Sequence, residues 1–280
     1  MGTWGPAIFS DDDAEDIRDD YNTLLIVGKS AEEAEEIIFQ EHYDEFKGSD
    51  IEPVFWFALA LSEWKKGRLS EKVKEKAMAF IDSGEDLARW EEASKADYAK
   101  RVKALDDLKE KLLSPMPPAK KVSKPSLLYS PWECGDLLAY RIDKEHVQEF
   151  KDWGDRTHIY ALLRVVGVER EPFTRLAESE YFYEIPYVVL YEWVGESIPR
   201  WEQVKDIPYV TWVTFVNSIA GIQVIIEKKD IRGREIAIIK KDSQFNAAKQ
   251  NIKLGGTSVG FAGLDRKIIF RIASLNLLQE

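Results

Sequence analysis

A run of seven carboxylic acids near the start of the chain forms a group of potential metal ligands. Asp12, Asp13 and Asp16 include a pair four residues apart, which shares one helix face and can hold Mg²⁺ through two carboxylates. A metal-dependent hydrolase would need further ligands, and the sequence contains no His-x-x-x-His or similar pattern. Acids in a first helical turn also interact favourably with the helix dipole. We therefore favour a solvated helix start, keep hydrolysis as an alternative, and predict no metal or other cofactor.

Three histidines and one cysteine are the other residues suited to proton transfer or nucleophilic attack. Histidine is the usual general base, but His42, His146 and His158 lie in no metal-binding or catalytic pattern. Cys134 has no local Cys-His signature, so we predict a small, partly buried side chain rather than a nucleophile. The sequence therefore predicts a protein without enzymatic activity and assigns no residue to catalysis.

A basic group surrounds a turn at residues 230–233 in the second half of the chain. Two predicted strands, residues 222–229 and 235–241, flank this turn as a plausible β-hairpin. Lysines at such a tip protect a sheet edge from unwanted pairing, and we favour this interpretation. With Trp212 and Phe215 nearby, the alternative is a nucleic-acid-binding module, which the sequence disfavours. The residues of this alternative are Lys228, Lys229, Arg232 and Arg234.

The net charge of −11 is unevenly distributed along the chain. Residues 1–121 contain 28 acids and 18 bases, whereas residues 122–280 contain 22 acids and 21 bases. Negative potential in the first part disfavours contact with a phosphate backbone and favours attraction to a basic protein partner. Tryptophan is over-represented among interface anchors, so two tryptophans near predicted strand ends or turns are added to the predicted binding surface. The predicted partner-binding residues are Asp12, Asp13, Asp16, Asp19, Glu32, Glu33, Glu36, Trp153 and Trp201.

Residues 1–113 combine helical apolar spacing with residues that commonly begin helices. Ser30 and Glu33 have the spacing of a capping box, and Ser70 is a second serine at a helix start. Asp50 is the predicted cap of a third helix, which is apolar on nearly every side and therefore central in a bundle. The predicted helices begin at residues 12, 30, 51, 70 and 85, and the last of them extends to residue 113.

Residues 114–126 contain four prolines and three lysines, a composition typical of a linker. Residues 127–280 contain several segments rich in β-branched and aromatic residues, the last at residues 267–273. Helices before a linker and strands after it predict an α+β protein with two domains. The expected architecture is an acidic helical bundle over residues 1–113, followed by a mostly antiparallel β-sheet or small barrel.

Hydropathy and cysteine content predict the compartment. The longest apolar run, residues 54–61, is far shorter than the ~20 residues that cross a bilayer, so no membrane partner is expected. The sequence does not begin with a basic and then apolar leader, so we expect no secretory signal. A single cysteine cannot form an internal disulfide, which is consistent with a reducing environment. We therefore predict a cytoplasmic protein.

The opening of the chain resembles the start of a bacterial family of unknown function. Trp4-Gly5, Phe9, Asp12-Asp13-Ala14 and Asp16 carry this resemblance. Some members of the family lie among candidate immunity proteins of polymorphic toxin systems, and the family has no known catalytic residues. Trp4 and Phe9 are expected to pack on the core.

The second half is similar to an immunity-protein family with a small barrel. In that family a Gly-Asp turn leads into the first strand, and the second strand carries an Arg-Val pair. The corresponding residues here are Gly135-Asp136 and Arg164-Val165. Both resemblances imply a bacterial protein that neutralises a toxin, and we expect its acids to occlude a basic surface such as a toxin active site.

Overall fold

The computed structural model describes residue 2 and residues 4–143, 145–146, 159–210, 219–254 and 258–275 of the chain. It confirms the predicted α+β class, because helices dominate the first part and a six-stranded sheet follows. The chain divides into two compact units. The helical unit contains Met1–Pro125 and Thr174–Glu180, and the β unit contains Ser126–Phe173 and Tyr181–Glu280.

The described helices of the helical unit are α1 (Asp12–Ile26), α2 (Ala31–Phe46), α3 (Glu52–Lys66), α4 (Glu71–Ser83), α5 (Glu85–Ala88) and α6 (Lys95–Leu113). Local capping explains several of these boundaries. Ser30 Oγ accepts from Glu33 N at 3.1 Å, and Glu33 Oε2 accepts from Ser30 N at 2.8 Å, so the predicted capping box is present. Ser70 caps α4 by accepting from Val73 N at 3.2 Å. The two serines predicted to cap helices therefore do so, at the starts of α2 and α4.

Helix α3 is the centre of the helical unit. Every residue from Pro53 to Glu63 is buried, and the ring centroids of Phe39, Tyr43, Phe55 and Trp56 lie 4.2–6.0 Å apart. Large aromatic side chains bury the most apolar area per residue, so this cluster supplies much of the packing free energy. Although α3 is the most apolar of these helices, none of the described helices is long and apolar enough to cross a membrane.

Three predictions for the helical unit were wrong. Asp50 does not cap α3, whose N-terminal cap is Ile51 and carries no side-chain hydrogen bond. The predicted helix over residues 85–113 is interrupted, because Ser94 accepts from a backbone amide and begins α6 as a new helix. Trp4 does not pack on the core, since 57% of it is exposed, whereas Phe9 does pack there.

The proline-rich segment at residues 114–125 forms neither helix nor strand. It follows the surface of the helical unit, where Lys120 N donates to Lys66 O at 2.9 Å and Arg68 donates to Lys120 O at 3.1 Å. Gly67 permits this close approach, because a Cβ at its left-handed backbone would overlap the carbonyl oxygens of the segment. These contacts fix part of the segment against the end of α3.

The described elements of the β unit are β1 (Leu137–Arg141), β2 (Tyr160–Pro172), β3 (Phe182–Gly195), α7 (Trp201–Val204), β4 (Ile219–Ala220), β5 (Ile222–Val224), β6 (Ile236–Lys240), a 3₁₀ turn (Ala248–Gln250), β7 (Ile252–Lys253), β8 (Ser258–Val259) and α8 (Phe261–Ser274). Six strands form one sheet in the order β6-β1-β2-β3-β5-β8. All neighbours in it are antiparallel except β5 and β8, and β4 and β7 form a separate parallel pair. The described sheet is mixed and open, so it is a sheet rather than the alternative barrel.

Two predictions for the β unit were wrong. Residues 267–273 lie in helix α8 instead of a strand, because Leu264, Ile268 and Ile272 recur at four-residue intervals and are all buried. Strands β5 and β6 do not form a hairpin, since β5 pairs with β3 and β6 pairs with β1. The β-branched residues of α8 favoured the prediction of a strand. The short separation of β5 and β6 in the sequence favoured the prediction of a hairpin.

The Gly-Asp and Arg-Val pairs of the second half are neighbours in the sheet. Gly135 N donates to Val165 O at 2.8 Å, and Val165 N donates to Asp136 O at 2.9 Å. The buried Arg164 side chain donates to Gly135 O at 2.8 Å and so closes the turn from the other side. Gly135 has φ +96°, a conformation that favours glycine. The turn that starts β1 is therefore held by the second strand.

Candidate functional site

The predicted acidic surface lies on α1 and α2, two helices that contact each other. Ala14, Ile17 and Tyr21 on α1 and Ala34 and Ile38 on α2 are fully buried and point into the core. Helical spacing then directs the intervening acids outward. We define the α1–α2 acidic surface as Asp12, Asp13, Asp16, Asp19, Glu32, Glu33 and Glu36, all of which are half-buried or exposed.

The excess of acids in the helical unit is confined to these two helices. Together α1 and α2 contain 13 acids and one arginine, and α2 alone has seven acids without a lysine or arginine. Residues 52–113, which cover α3 to α6, contain 13 acids and 13 lysines or arginines. Negative charge is therefore concentrated on one pair of neighbouring helices instead of being spread over the unit.

The acids of α1 occupy different surroundings. Asp12 accepts from Gly2 N at 2.9 Å, and Asp19 pairs with Arg18 at 2.7 Å. Asp13 is half-buried, and desolvation together with the neighbouring Asp11 raises the pKa of its carboxyl. Asp16 is exposed, and among the described residues no lysine or arginine lies within 4.0 Å of it. Asp16 is thus the α1 acid most available to an external cation.

The predicted acids of α2 are exposed and form only local hydrogen bonds. Glu33 belongs to the capping box, and Glu36 accepts from Gln40 at 2.9 Å. Local hydrogen bonds, first of all to a backbone amide, lower the pKa of Glu32, which keeps it ionised. Within the described part of the chain, none of the three lies within ion-pair distance of a lysine or arginine. These carboxylates are therefore accessible to a partner.

The metal-binding alternative finds no support in the geometry of the acids. Across the described residues, no group of three or more His, Cys, Asp or Glu side chains is arranged to hold a metal ion. Asp11, which precedes the predicted ligands, instead caps α1 by accepting from Asp13 N at 3.1 Å. The hydrolase that would use Asp12, Asp13 and Asp16 remains a prediction.

Of the two predicted tryptophan anchors, Trp201 lies among the described residues. Trp201 is half-buried and packs on a cluster formed by Leu137, Leu162, Tyr191 and Val204. Its ring also lies 3.9 Å from Lys240 Nζ, a cation–π contact. Trp201 is thus largely occupied by its own unit, and Trp153 lies outside the described residues.

The four cations of the nucleic-acid alternative do not form one basic surface. Lys228 lies 5.8 Å from the ring centre of Tyr129, and Lys229 pairs with Glu227 at 3.0 Å. Arg232 is exposed. Arg234 points inward, where it donates to a buried carboxylate at 2.8 Å. Trp212 and Phe215, the aromatic residues of this alternative, lie outside the described part of the chain.

A buried charged cluster around Asp265 was not predicted from the sequence. Asp265 on α8 is fully buried and accepts hydrogen bonds from the Tyr140 hydroxyl and from Arg234 at 2.8 Å. His146 Nδ1 lies 2.7 Å from the same carboxylate. Burial and the adjacent negative charge hold the pKa of Tyr140 well above its usual value. A charge buried at this depth requires such partners, so the cluster attaches α8 to the sheet.

The Asp265 cluster places a histidine beside a buried carboxylate. Contact through Nδ1 orients the His146 ring against Asp265. A polar cavity of about 280 Å³ adjoins the cluster and is lined by Arg234 together with Asp143 and Glu145. Asp265, a single acid within an apolar helical stripe, was the signal in the sequence, but its partners lie up to 125 residues away.

Cys134, predicted to be partly buried, is exposed.

Comparison of the chain with protein-family models, with curated proteins and with solved structures found no match in any of the three.

Proposed function

We propose that this chain is a non-enzymatic, cytoplasmic binding protein of the immunity or inhibitor type, which covers a basic surface of a protein partner with its α1–α2 acidic surface. One observation carries the proposal: 13 acids and a single arginine lie on two neighbouring helices, next to helices whose charges balance. The resemblance of the opening residues to a family associated with toxin immunity supports the same class of protein. An exposed single cysteine fits a reducing compartment.

The proposed mechanism is electrostatic capture followed by occlusion. Complementary charge accelerates encounter and orients the partner, whereas packed contacts set the lifetime of the complex. Asp16, Glu32 and Glu36 are exposed, and their charges are not neutralised by a lysine or arginine of the described chain. They would face the lysines and arginines with which a toxin such as a nuclease binds its own substrate.

A charge-swap experiment tests the proposal. The triple variant Asp16→Lys/Glu32→Lys/Glu36→Lys changes the charge of the α1–α2 acidic surface and keeps Ser30 and Glu33, the two residues of the capping box. The matched control, Glu91→Lys/Asp106→Lys/Glu110→Lys, makes the same change at exposed positions within the charge-balanced residues 52–113. Partners captured from the native host are quantified by mass spectrometry, and affinity is then measured against salt with the purified partner.

We expect the wild-type chain and the control to retain one basic partner, and the charge-swap variant to lose at least about tenfold in affinity. Salt should weaken the wild-type complex, because exposed charges are screened within about 10 Å at 0.1 M. Equal binding by both triple variants would contradict the assignment of this surface. Recovery of nucleic acid instead of protein, abolished by Lys228→Ala/Lys229→Ala, would favour the nucleic-acid alternative.

A further inference from the structure

A cavity of about 480 Å³ opens beside the N-terminal segment of the helical unit. Two tryptophans line it, and they differ in burial: Trp4 is 57% exposed, whereas Trp90 is 9% exposed. Cavities of this volume commonly hold small ligands or single side chains. We call it the Trp4–Trp90 pocket, and its main lining residues are Trp4, Pro6, Arg89, Trp90, Asp97 and Lys100.

The walls of the Trp4–Trp90 pocket are fixed by buried charge. Arg101 forms two hydrogen bonds to Asp86, at 2.6 and 2.8 Å, and donates a third to Pro6 O at 3.2 Å. The Arg101 guanidinium also lies 5.5 Å from the centre of the Trp90 ring. One buried arginine therefore ties the N-terminal segment to both α5 and the Trp90 wall. A pocket held in this way loses little conformational entropy when a ligand binds.

Polar groups at the rim define the ligand that would fit. Lys100 and Arg89 are cationic and Asp97 is anionic. Arg89 already lies 3.7 Å from Asp86 and 3.9 Å from Asp11, so Lys100 is the cation at the rim that a ligand anion can recruit. The Lys100–Asp97 pair at 3.1 Å is exposed, and such pairs contribute so little that the ammonium can turn to a ligand. Trp90 Nε1 is buried and has no accessible surface to speak of, so Trp90 forms a wall of the pocket and does not offer its N–H group to a ligand.

We propose that the Trp4–Trp90 pocket binds a flat aromatic group that carries a carboxylate. The ring stacks on the exposed indole of Trp4, since offset aromatic pairs are favourable beyond their buried area. The carboxylate pairs with Lys100 in a charge-assisted hydrogen bond. A free aromatic acid and the C-terminal aromatic residue of a peptide both present this chemistry. The proposal is independent of the α1–α2 acidic surface.

Titration of the full-length chain with chosen probes tests the ligand class. The probes are indole-3-propionate, its uncharged amide, and an acetylated tripeptide that ends in tryptophan with a free carboxylate. Binding is followed through the indole N–H signals of the nine tryptophans by NMR, with assignments from Trp4→Phe and Trp90→Phe. We expect saturable shifts of the Trp4 and Trp90 signals and about tenfold weaker binding of the amide. Preference for the free acid or for the peptide distinguishes the two sources.

Paired variants separate the pocket from general surface effects. Trp4→Ala should weaken the binding of indole-3-propionate about tenfold, and Lys100→Gln should weaken it about threefold. Leu113→Ala is the control for an exposed apolar residue, at 63% exposure, and Lys95→Gln is the control for an exposed lysine of the same helix. The proposal is overturned if no probe saturates below about 10 mM, if acid and amide bind equally, or if Trp4→Ala binds as the wild type does.

Discussion

Glu63 on α3 offers the sharpest test of the helical unit, because its carboxyl is buried and yet ionisable. Only 1% of the residue is exposed, and its Oε2 accepts from Ser70 N at 3.0 Å. Burial, reinforced by Glu35, raises the pKa of Glu63 from 4.5 to about 8, although the Ser70 amide and Lys72 oppose the shift. The folded chain should therefore hold this carboxyl in its protonated form at neutral pH.

The sign of the effect follows from proton linkage. An unfolded chain releases this proton near pH 4.5, while the folded chain keeps it to about pH 8. The free energy of unfolding attributable to Glu63 therefore falls as pH rises between these values and is level above them. The pKa difference of about 3.5 units corresponds to an upper limit of about 5 kcal/mol at 1.36 kcal/mol per unit.

Glu63→Gln removes the ionisation and keeps an oxygen that can accept from Ser70 N. We expect the variant to match the wild type near pH 5 and to exceed it by several kcal/mol at pH 8.5, because only the wild type must retain a costly proton. The measurement is urea unfolding at several pH values, followed by circular dichroism at 222 nm, where the helices dominate the signal.

The matched control is Glu92→Gln, which makes the same chemical change at an exposed position. Its difference from the wild type should be close to zero and independent of pH. A constant difference between Glu63→Gln and the wild type over the whole pH range would refute the reasoning. So would a variant that is less stable at pH 8.5, since the buried amide would then cost more than the buried carboxyl.

Three further perturbations probe other parts of the fold. Asp86→Ala leaves the buried Arg101 without its two hydrogen bonds of 2.6 and 2.8 Å, and should lower the free energy of unfolding by about 3–5 kcal/mol in urea; adding Arg101→Met should restore part of the loss. Gly135→Ala places a Cβ against a backbone carbonyl at φ +96°, and should lower the melting temperature through a loss of about 2 kcal/mol. The hydrogen bond that His42 donates to Asp20 raises the pKa of His42 above 6.5, so the stabilisation by this pair is present below pH 6.5 and lost as pH rises through the raised value. His42→Gln should destabilise the chain in urea at about pH 5.5 and have little effect at about pH 9.

Each of these expectations can fail in a distinct way. Full stability of the Asp86→Ala chain would show that Arg101 finds another partner. A harmless Gly135→Ala would mean that the turn before β1 shifts easily. An effect of His42→Gln that grows with pH would reverse the sign assigned to the His42–Asp20 pair.

The helical unit was largely predictable because its signals are local. A serine that bonds an amide three residues later, as Ser30 does with Glu33, is visible within one turn of sequence. The break before α6 was not predicted, although Ser94 is also a serine cap. It lies inside a charged segment in which the helical spacing of apolar residues continues on both sides of the break. Local rules identified the serine caps of α2 and α4, but they placed a cap wrongly at Asp50 and did not decide which of two compatible patterns prevailed at Ser94.

The β unit was less predictable because its partners are distant in sequence. Strand β6 pairs with β1, about 100 residues earlier, while its nearest neighbour in sequence, β5, pairs with β3. The Asp265 cluster has the same character, since Tyr140 and Asp265 are 125 residues apart. Composition was enough to predict the acidic surface. The contacts of Asp265 could be identified only from the three-dimensional structure, because they join residues far apart in the sequence.

The charges of α2 and α6 support the proposal that the acidic surface acts outside the fold. In α6, Lys100 pairs with Asp97 and Lys109 pairs with Asp82, so its charges support the helical unit. Helix α2 has seven acids and no lysine or arginine, and like charges four residues apart destabilise a helix. Residues 52–113 taken together contain equal numbers of acids and of lysines or arginines. Helices α1 and α2 keep an excess of acids, although Arg18 pairs with Glu15 and Asp19 and Lys72 pairs with Glu35. A basic partner would relieve this repulsion, and binding and the stability of α2 would then increase together.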